Sequence, residues 1–440
     1  MARGKKKEST LMPEEKLAQV LVPDWEWPYK LPENWCWTSF VSISQIRTGK
    51  KDANYGSEDG EYPFFTCAAE PIRCDGYSFD CNAILLAGNG DINNISRYEG
   101  KFEAYQRTYV VEVKEPINTD LLYYYFKYRW FDYNKDKMFG TAIPYIRLGN
   151  LQTFPIPLPP LEEQQRIVDR IEYLFAKLDE AKEKAQSVLD SFETRKAAIL
   201  HKAFAGELTA KWRAENEMDI ANWKETVLQD VCEKIVCGKT PTGHITAQGE
   251  IPYLKVYNIV NNHIDFLSTP QFIPNSIHNS KLQSSILKPN DVIMNIVGPP
   301  LRKIAIIPDT YPEWNMNQAI VRFRPLADLQ SRFLYYALIN PETLDDVIAA
   351  TKGVVGQANI SVSQSRNLVV NLPPVPEQNE IIRILDSLFS KEQQAKEAAE
   401  AVLEKIDLLK KSILARAFRG KLGTNDPSEE SAVELLKEVL

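Results

Sequence analysis

The sequence predicts a mixed α/β fold (α+β) with two globular segments, two long antiparallel coiled-coil helices that separate them, and a pseudo-twofold internal repeat. Three observations support this fold class. Residues 158–208 match residues 372–422 without a gap, with 22 identities over 51 positions. Apolar residues in both copies recur with a 4–3–4–3 spacing, which is typical of a coiled-coil seam. A segment of mixed, strand-like character, roughly 130–150 residues long, precedes each copy.

Length and composition narrow the class of protein. A chain of 440 residues with a net charge of −7 is expected to form two to four domains, and any nucleic-acid-binding face must be a local patch. No uninterrupted apolar run reaches the roughly 18 residues of a transmembrane helix. The polar start argues against a secretory signal, so the predicted localisation is cytoplasmic. The six cysteines form no CxxC pair and are predicted to be buried free thiols without a metal.

The repeat also sets the predicted domain boundaries. In chain order they are a tail with a short helix (1–30), a globular segment (31–157), a helix (158–208), a linker (209–222), a second globular segment (223–371), a second helix (372–422) and a C-terminal tail with a short helix (423–440). The segments 12–22 and 431–440 both have amphipathic character. We expect both termini to gather near the end of the second long helix and the first globular segment.

Each repeat copy is interpreted as one helix, roughly 60 Å long, that begins after a Pro-Pro pair. Acidic residues follow near the positive end of the helix dipole, and Gly206 and Gly420 stand where a C′ glycine ends a helix. The predicted seam consists of Ile167, Ile171, Leu174, Leu178, Ala181, Ala185 and Val188 in the first copy, and of Ile381, Leu385, Leu388, Ala395, Ala399, Val402 and Ile406 in the second. Bulky residues at Ala181 and Ala395 are expected to disrupt the helix pair.

Two faults in the seams suggest how the helices pair. The second copy has Glu392 where the first has an apolar residue, and the first has Arg195 where the second has one. Antiparallel pairing would bring Arg195 within reach of Glu392. The alternative is that both side chains lie on solvated flanks.

The globular segments resemble each other weakly. The stretch from Trp35 to Lys50 resembles that from Trp223 to Thr240, and 83–86 and 122–125 resemble 292–295 and 334–337. The skeleton matches while the loops diverge. Such a pattern is expected of two domains that share a scaffold but bind different targets through their loops.

The search for catalytic motifs gives no convincing candidate. The Gly238-Lys239-Thr240 segment lacks the first glycine of a phosphate-binding loop, and the glycines around residue 89 are too few for a dinucleotide fingerprint. The sequence therefore predicts a chain that is not an enzyme.

Amide, hydroxyl, basic and aromatic side chains cluster in the predicted loops of both globular segments. Asn pairs bidentately with adenine, Arg and Lys pair with guanine, and Lys, Ser and Thr bind phosphate. The alternative for each residue is an ordinary polar surface loop. The candidate DNA-binding residues are Lys50, Lys51, Asn54, Tyr55, Asn89, Asn93, Asn94, Arg97, Tyr145 and Arg147 in the first segment, and Lys239, Thr240, His244, Lys255, Tyr257, Asn258, Arg302, Lys303, Gln357, Asn359 and Ser361 in the second.

Taken together, these features resemble the specificity subunit (HsdS) of type I restriction–modification systems. The resemblance is carried by the two Leu-Pro-Pro…Glu-Gln helix openings, the two Ala-Phe-x-Gly-x-Leu endings and the Trp…Gly-Lys start of each globular segment. It covers essentially the whole chain.

The resemblance implies that 31–157 and 223–371 are target recognition domains, each reading one half of a split, asymmetric site in double-stranded DNA. The helices would set the spacer, and two methyltransferase subunits would dock on them. Restriction subunits with motor and nuclease activity would then join. S-adenosylmethionine, ATP and Mg would be bound by the partners and none by this chain. The competing hypothesis is a coiled-coil scaffold with two protein-binding domains and no sequence-specific role on DNA.

Overall fold

The structure, a computed structural model, describes residues 13–351 and 359–440. The elements up to the end of the first repeat copy are α1 (Pro13–Val20), β1 (Cys36–Ser39), β2 (Ser44–Thr48), β3 (Tyr62–Phe65), β4 (Ile72–Cys74), β5 (Phe79–Ala87), β6 (Ile95–Ala104), β7 (Thr108–Val113), α2 (Thr119–Asn134), α3 (Leu148–Gln152), β8 (Pro155–Leu158), α4 (Leu161–Asp190) and α5 (Phe192–Phe204).

The elements that follow belong to the linker, the second globular segment and the second repeat copy. They are α6 (Ala210–Glu215), β9 (Lys224–Val227), α7 (Leu228–Val231), β10 (Val236–Cys237), β11 (Ile251–Leu254), β12 (Ile259–Val260), β13 (His263–Ile264), β14 (Phe272–Ile273), α8 (Asn275–His278), β15 (Ile286–Leu287), β16 (Val292–Asn295), β17 (Ile304–Ile306), β18 (Trp314–Met316), β19 (Ile320–Phe323), α9 (Ser331–Ile339), α10 (Pro341–Thr351), α11 (Val362–Arg366), β20 (Val369–Leu372), α12 (Val375–Ala417) and α13 (Ala432–Val439).

The chain divides into two compact units. The first comprises the residues up to Ala185 together with Ala401–Leu440, and the second comprises Gln186–Glu400. Each unit therefore contains one globular segment and parts of both repeat copies. Within the described residues, no helix combines the length and the apolar character needed to cross a membrane.

The first unit contains a six-stranded sheet in the order β2-β7-β5-β6-β3-β4. Its pairs are antiparallel except β3–β6, which is parallel. Strand β5 is buried on both faces, because Ile84 and Leu86 pack into the core that contains α2, while Ala83 and Leu85 pack into a second cluster. This alternation follows from the two-residue period of a strand.

Both chain termini contribute to the core of the first unit. Leu435 and Leu436 of α13 and Phe418 at the end of the second repeat copy lie in one cluster with α2, and the Phe418 ring centroid is 4.9 Å from that of Tyr125. Helix α1 packs against α13, and Lys16 Nζ donates to the Leu440 carbonyl oxygen at 2.9 Å. The expected gathering of the termini is confirmed.

The second unit contains two four-stranded sheets, β10-β19-β16-β17 and β14-β11-β18-β15. In addition β9 pairs with β20, just as β1 pairs with β8 in the first unit. In each unit a tryptophan comes directly before the first strand of this pair, and the second strand leads into the Pro-Pro that opens a long helix. The weak resemblance between the globular segments therefore reflects a shared scaffold.

The long helices mostly match the prediction, with one difference in continuity. Gly206 and Gly420 have φ angles of 76° and 63°, as C′ glycines require. Helix α12 runs unbroken for 43 residues, but the first copy is interrupted between α4 and α5. At the interruption Ser191 Oγ donates to the Ser187 carbonyl oxygen at 2.6 Å, a local bond that competes with regular helix geometry.

Two predicted seam positions in the second copy are wrong. The seven seam positions of the first copy, and Ile381, Leu385, Leu388, Ala399 and Ile406 of the second, are buried or half-buried. Ala395 and Val402 are exposed instead, and Lys396 and Leu403, one residue later, are half-buried.

A lysine side chain explains the wrong seam position at Ala395. The Lys396 ammonium lies 5.0 Å from the centre of the Phe192 ring, and the Lys410 ammonium lies 5.1 Å from that of Phe175. The methylene stem of a lysine covers apolar surface while its charge stays in water. A pattern based on apolar residues alone therefore selected Ala395 in place of Lys396, whereas at Val402 it had to choose between two adjacent apolar residues, Val402 and Leu403.

The predicted antiparallel pairing is confirmed inside each unit. In the second unit Arg195 Nε donates to Glu392 Oε2 at 2.9 Å, so these two residues are ion-paired and not solvated flanks. In the first unit Lys410 Nζ donates to Asp179 Oδ1 at 2.6 Å, and Arg166 Nη2 donates to the Thr424 carbonyl oxygen at 3.0 Å. Positions later in one copy thus meet positions earlier in the other.

A buried carboxylate opens each long helix. Glu163 is fully buried and accepts from Trp35 Nε1 at 2.7 Å, Asn425 Nδ2 at 2.8 Å and Thr424 Oγ1 at 3.0 Å. These donors come from the start of the first globular segment and from the C-terminal tail. The sequence analysis assigned this carboxylate only a favourable interaction with the helix dipole. In the structure it also joins three separate segments of the chain.

The equivalent carboxylate in the second unit has a cationic partner. Glu377 is fully buried and accepts from Trp223 Nε1 at 2.9 Å, Thr209 Oγ1 at 2.7 Å and Arg213 Nη1 at 2.6 Å. The Arg213 side chain is only 10% exposed. We refer to Glu163 with its tryptophan and C-terminal-tail donors, and to Glu377 with its tryptophan and linker donors, as the carboxylate clamp of its unit.

The glutamine that follows each carboxylate is also buried. Gln164 Nε2 donates to the Pro159 carbonyl oxygen at 3.1 Å, and its Oε1 accepts from the Asn118 amide at 2.9 Å. Gln378 makes the same two kinds of contact, to the Pro373 carbonyl oxygen at 2.9 Å and from the Gln330 amide at 2.9 Å. Each long helix is thereby attached to the N-terminus of α2 or α9.

The described cysteines are all free. Burial raises the pKa of the Cys36 and Cys232 thiols to about 12, so both stay protonated near neutral pH. Cys74 is also buried, whereas Cys67, Cys81 and Cys237 are half-buried. The prediction of buried thiols therefore holds for three of the six.

Substituting Ala399 tests the corrected seam. Ala399→Leu should lower the unfolding free energy of the full chain by about 1–3 kcal/mol, because added methylenes overpack a site that is 6% exposed. Ala395→Leu, on an exposed position of the same helix, is the matched control and should leave stability unchanged. Urea unfolding followed by circular dichroism measures both, and equal effects of the two substitutions would refute the corrected register.

Substituting Glu377 tests the carboxylate clamp of the second unit. Glu377→Gln should cost about 3–5 kcal/mol of unfolding free energy, because it leaves the buried Arg213 guanidinium without its counter-charge. Glu404→Gln, at an exposed position on the same helix, should cost less than about 0.5 kcal/mol. Thermal melts of the two variants make the comparison, and a Glu377→Gln melt equal to that of the wild type would contradict the role assigned to the clamp.

Candidate nucleic-acid interface

In the first unit four loops meet at one end of the six-stranded sheet. Strands β2 and β5 end beside the start of β7, because both are antiparallel to it. The Gly49 and Gly88 amides, directly after β2 and β5, donate to the Thr108 and Arg107 carbonyl oxygens at 3.3 and 2.8 Å. The Ile146 amide donates in turn to the Gly88 carbonyl oxygen at 2.9 Å. We call the four loops, residues 49–55, 88–94, 105–107 and 139–147, the first reading surface.

Aromatic rings hold two of its cations. The Lys51 ammonium lies 4.2 Å from the centre of the Tyr55 ring, and the Arg147 guanidinium lies 4.0 Å from that of Phe139. Arg147 Nη2 also donates to Tyr145 Oη at 3.2 Å. A guanidinium positioned in this way presents its remaining donors in a fixed orientation, as bidentate pairing with a guanine requires.

The structure brings most of the first-segment candidates together. Lys50, Asn54, Asn93 and Arg147 are exposed, and Lys51, Tyr55, Asn89, Asn94 and Tyr145 are half-buried, all within the first reading surface. Two of the amides already have structural partners. Asn94 Nδ2 donates to the Cys67 carbonyl oxygen at 2.9 Å, and Asn93 Nδ2 donates to Asp91 Oδ1 at 3.0 Å.

Arg97 differs from the other candidates of the first segment. It lies in strand β6, not in a loop, and its Nη1 forms a salt bridge with Asp120 Oδ1 at 2.6 Å. Asp120 belongs to the first turn of α2. The prediction that placed Arg97 in a DNA-facing loop is therefore corrected, since its guanidinium connects the sheet to this helix.

The sequence analysis missed Tyr105 and Arg107 of the same surface. They form the turn between β6 and β7, and Arg107 is exposed. The available signal was a Gln-Arg pair at 106–107 between two strand-like runs. Phe139 and Ile143, which are 38% and 62% exposed, were also missed, because tyrosine was the only aromatic residue selected and aliphatic residues were not considered as contacts.

The second unit has an equivalent set of loops, which we call the second reading surface: 238–244, 296–303, 317–319 and 359–361. The Gly238 amide donates to the Ile320 carbonyl oxygen at 3.1 Å, and the Ile360 amide donates to the Ile296 carbonyl oxygen at 2.9 Å. These bonds repeat those of Gly49 and Ile146 in the first unit. The backbone framework is shared while the side chains differ.

The second-segment candidates have varied environments. Lys239, Thr240, Tyr257, Asn359 and Ser361 are exposed, and His244, Lys255, Arg302 and Lys303 are half-buried. Thr240 Oγ1 donates to Gln318 Oε1, and Ser361 Oγ caps α11 by accepting from the Gln364 amide at 3.1 Å. Gln357 lies outside the described residues.

Asn258 cannot contact DNA in this structure, which corrects its prediction. The side chain is fully buried, its Oδ1 accepts from the Lys255 amide at 2.9 Å, and its Nδ2 donates to the Asp265 carbonyl oxygen at 3.2 Å. It shapes the loop that carries Tyr257. An asparagine in a polar loop is as suited to closing a turn as to reading a base, and the sequence alone does not distinguish the two roles.

Arg302 and Lys303 are engaged within the unit. Arg302 Nη1 donates to the Pro341 carbonyl oxygen at 3.2 Å, and its Nη2 pairs with Asp345. Lys303 Nζ donates to the Val256 carbonyl oxygen at 3.4 Å. These contacts attach the loop to its neighbours and occupy donors that the sequence analysis assigned to DNA.

The Gly-Lys pairs owe their glycines to packing. A Cβ atom on Gly49 would lie 1.8 Å from the Ala104 carbonyl oxygen, and one on Gly238 would lie 2.1 Å from the Met316 carbonyl oxygen. The glycines thus let each first loop pass directly over the neighbouring turn. Among the described residues, no group of three or more His, Cys, Asp or Glu side chains could hold a metal ion.

Comparison with known proteins identifies the family of the chain. A family model described as the type I restriction modification DNA specificity domain matches residues 32–189 and again residues 220–405. The chain belongs to this family. The two matches fall on the two halves of the internal repeat, so the duplication is a duplication of the family's own domain.

Curated relatives carry the same description. The chain is 28% identical over 423 residues to the EcoDI specificity subunit of Escherichia coli, covering 89% of this chain and 90% of that protein. It is 25% identical to the MjaVIII specificity subunit of Methanocaldococcus jannaschii, covering 86% of this chain and 92% of that one. Both relatives are named type I restriction enzyme specificity subunits.

Solved structures share the fold. The HsdS subunit from Thermoanaerobacter tengcongensis matches with a TM-score of 0.64 and 19% identity, over 90% of this chain and 99% of that one. A chain from a study of complex assembly and conformational transition in the type I R-M system matches with a TM-score of 0.65 and 19% identity, over 90% of this chain and all of that one. At this identity the likeness concerns the fold.

Substituting Gly49 tests the architecture of the first reading surface. Gly49→Ala should displace the loop 49–55 and weaken binding of the full complex to DNA by roughly tenfold or more, because the new methyl group overlaps a backbone carbonyl. Gly149→Ala is the matched control, since no atom lies within 4 Å of a Cβ placed there. Fluorescence anisotropy with a duplex that carries the target site gives both affinities, and equal affinities would contradict the placement of this loop.

Proposed function

We propose that the chain is the non-catalytic DNA specificity subunit of a type I restriction–modification complex, in which each reading surface recognises one half of a split, asymmetric site. The observation that carries the proposal is a duplicated scaffold whose two sets of loops share their backbone hydrogen bonds and differ in their side chains. Two scaffolds with the same backbone hydrogen bonds but different loop side chains are suited to recognising two different half-sites.

The two surfaces differ in the chemistry that they present. The loop 88–94 is rich in glycine and asparagine, whereas the equivalent loop 296–303 contains Val297 and Leu301, and its Arg302 is bound by Pro341 and Asp345 of α10. We expect the first half-site to be read mainly through amide and guanidinium hydrogen bonds. We expect apolar contacts, such as those with thymine methyl groups, to contribute more to reading the second half-site.

The proposed partners are double-stranded DNA, two methyltransferase subunits and restriction subunits. S-adenosylmethionine, ATP and Mg would be bound by those subunits, and the chain would act on DNA in the cytoplasm. A non-catalytic role suits reading surfaces built from amides, cations and aromatic rings around a rigid backbone.

A methylation map of a host with this gene intact and deleted tests the proposal. Loss of one split, asymmetric methyladenine motif on deletion is the expected result. An unchanged map in a host whose methyltransferase subunits are expressed and active would contradict it and would favour the scaffold hypothesis. DNA binding by the purified complex that weakens steeply with salt gives an independent check.

For the methyltransferase subunits, we propose a docking surface that occurs once in each unit. In the first unit it consists of Tyr123 and Tyr124 from α2 with Glu172 and Phe175 from α4, and the ring centroids of Tyr124 and Phe175 are 5.9 Å apart. Burial and the neighbouring Glu172 raise the pKa of Tyr124 to about 12, so its hydroxyl remains a hydrogen-bond donor.

The second unit repeats this surface with two tyrosines, an acidic residue and a phenylalanine, of which Tyr336 is buried. Tyr335 and Tyr336 come from α9, and Asp386 and Phe389 come from α12, with 5.6 Å between the ring centroids of Tyr336 and Phe389. The surface borders a groove of about 980 Å³. Two copies of one surface suit two copies of one partner.

Tyrosine substitutions test this docking surface. Tyr123→Ala and Tyr335→Ala should each remove one methyltransferase subunit from the co-purified complex, and the double variant should remove both, because large aromatic rings carry much of the energy of an interface. Tyr173→Ala, at a tyrosine that is 55% exposed on α4, is the control. Native mass spectrometry counts the subunits, and two bound subunits in the double variant would contradict the surface assigned here.

A further inference from the structure

One loop of the first reading surface has a tip that is not polar. Residues 139–145 form a tight hairpin in which the Phe139 amide donates to the Tyr145 carbonyl oxygen at 2.9 Å and the Tyr145 amide donates to the Phe139 carbonyl oxygen at 2.8 Å. Thr141, Ala142 and Ile143 at its tip are exposed, and Ile143 is 62% exposed. The first reading surface thus carries an apolar projection.

The hairpin has a fixed conformation. Gly140 adopts a φ angle of 83°, and a Cβ atom there would lie 2.7 Å from the Ile143 carbonyl oxygen. The Gly90 amide donates to the Pro144 carbonyl oxygen at 2.8 Å, which attaches the hairpin to the neighbouring loop 88–94. The tip therefore does not have to become ordered when a partner binds, and this lowers the conformational entropy that is lost on binding.

Cations stand at the base of the hairpin. Arg147 covers the Phe139 ring at 4.0 Å, and the Lys137 ammonium lies 3.3 Å from the centre of the Tyr133 ring. Between residues 135 and 147 the chain has three basic residues and one acidic residue. An apolar tip between cations matches DNA, which offers phosphates on the outside and apolar base faces within.

We propose that this hairpin acts as a wedge, with the Ile143 side chain inserted at a base step in or beside the half-site read by the first unit. The proposal rests on the proposed function. The base pairs on either side of the step are partly unstacked and the duplex is kinked there, while Lys137 binds a flanking phosphate. Proteins that kink DNA use apolar side chains in this way.

The wedge gives the first unit a second means of discrimination. Pyrimidine–purine steps unstack at lower cost than other steps, so insertion favours half-sites that have such a step under the tip. The base pairs at this step are selected by their deformability without a hydrogen bond to either base. The loops 49–55 and 88–94 read neighbouring bases through their edges.

The test uses the complete complex of this chain with its methyltransferase subunits and a duplex carrying the motif from the methylation map. A single 2-aminopurine, whose fluorescence rises on unstacking, is placed at successive positions of the half-site. The target adenines are left unsubstituted, because methyltransferases extrude the base that they modify. The wild-type complex should raise the fluorescence at one step, and end-labelled duplexes should report a bend by energy transfer.

Substitutions at Ile143 separate a wedge from an ordinary contact. Ile143→Ser should abolish the fluorescence rise at that step, reduce the bend and weaken binding by about tenfold, whereas Ile143→Val should retain both signals. Val41→Ser, at an apolar residue of the first unit that is 45% exposed and lies in none of the four loops, is the matched control and should behave as the wild type.

Three other outcomes would overturn the wedge. Equal fluorescence for the wild type and Ile143→Ser, with motif-specific binding intact, would show that the tip does not unstack DNA. Loss of a methyltransferase subunit from Ile143→Ser, with unchanged DNA fluorescence, would identify the tip as a protein contact. Absence of motif-specific binding by the wild-type complex would refute the proposed function and the wedge with it.

Discussion

A carboxylate without access to water is stable only where donors surround it, and this requirement organises both halves of the molecule. Glu163 and Glu377 are fully buried at the first turn of a long helix, where each accepts from an indole and from a later or earlier part of the chain. The buried carboxylate receives all its hydrogen bonds only when the helix, the tryptophan and the third segment (the C-terminal tail for Glu163, the linker for Glu377) are in place together. The carboxylate clamp thereby fixes where each globular segment joins its helix, and the reading surfaces inherit their positions from that junction.

The two clamps solve the same problem with different donors. In the second unit a guanidinium balances the charge, whereas around Glu163 the three hydrogen bonds come from neutral groups. Arg166 lies one turn later, but it pairs with Glu429. Both copies have thus kept the carboxylate and its tryptophan, whereas a neutral amide donates to Glu163 and a guanidinium donates to Glu377. This is a local instance of what the whole chain does, since the scaffold is preserved and the groups attached to it vary.

The sequence was sufficient for features that depend on period and repetition. The duplication, the long helices and their C′ glycines follow from spacing along the chain. Spacing also suggested the pairing of Arg195 with Glu392, but the structure was needed to decide between that pair and solvated flanks. The seam position at Ala395 was wrong because the stem of Lys396 packs like an apolar side chain while the residue counts as polar, and at Val402 the pattern did not distinguish between two adjacent apolar residues. The interruption at Ser191 was missed because a side-chain hydrogen bond to the backbone leaves no trace in the apolar pattern.

The reading surfaces were predictable as loops but not side chain by side chain. Lys51 and Asn89 come together because antiparallel strands end beside each other, and an approximate strand assignment captures that. Whether the side chain of a polar residue is available to bind DNA depends on intramolecular partners, which can lie far away along the chain. Asn258 closes its own loop and Arg97 reaches Asp120, and neither contact can be found from local sequence. Ile143 shows the converse, since an apolar residue was passed over in a search for polar ones.

The composition of the two units has a consequence for synthesis on the ribosome. The second unit is a single continuous stretch, Gln186–Glu400, whereas the first draws on both ends of the chain. Trp35, Ile167 and Ile171 belong to a core that also contains Phe418 and Leu436, so this core is incomplete until Leu436 has been synthesised. All residues of the second unit are synthesised before these residues of the first unit. Until then, the part of the first core that Phe418 and Leu436 cover stays exposed on the nascent chain, and chaperones bind such apolar surfaces.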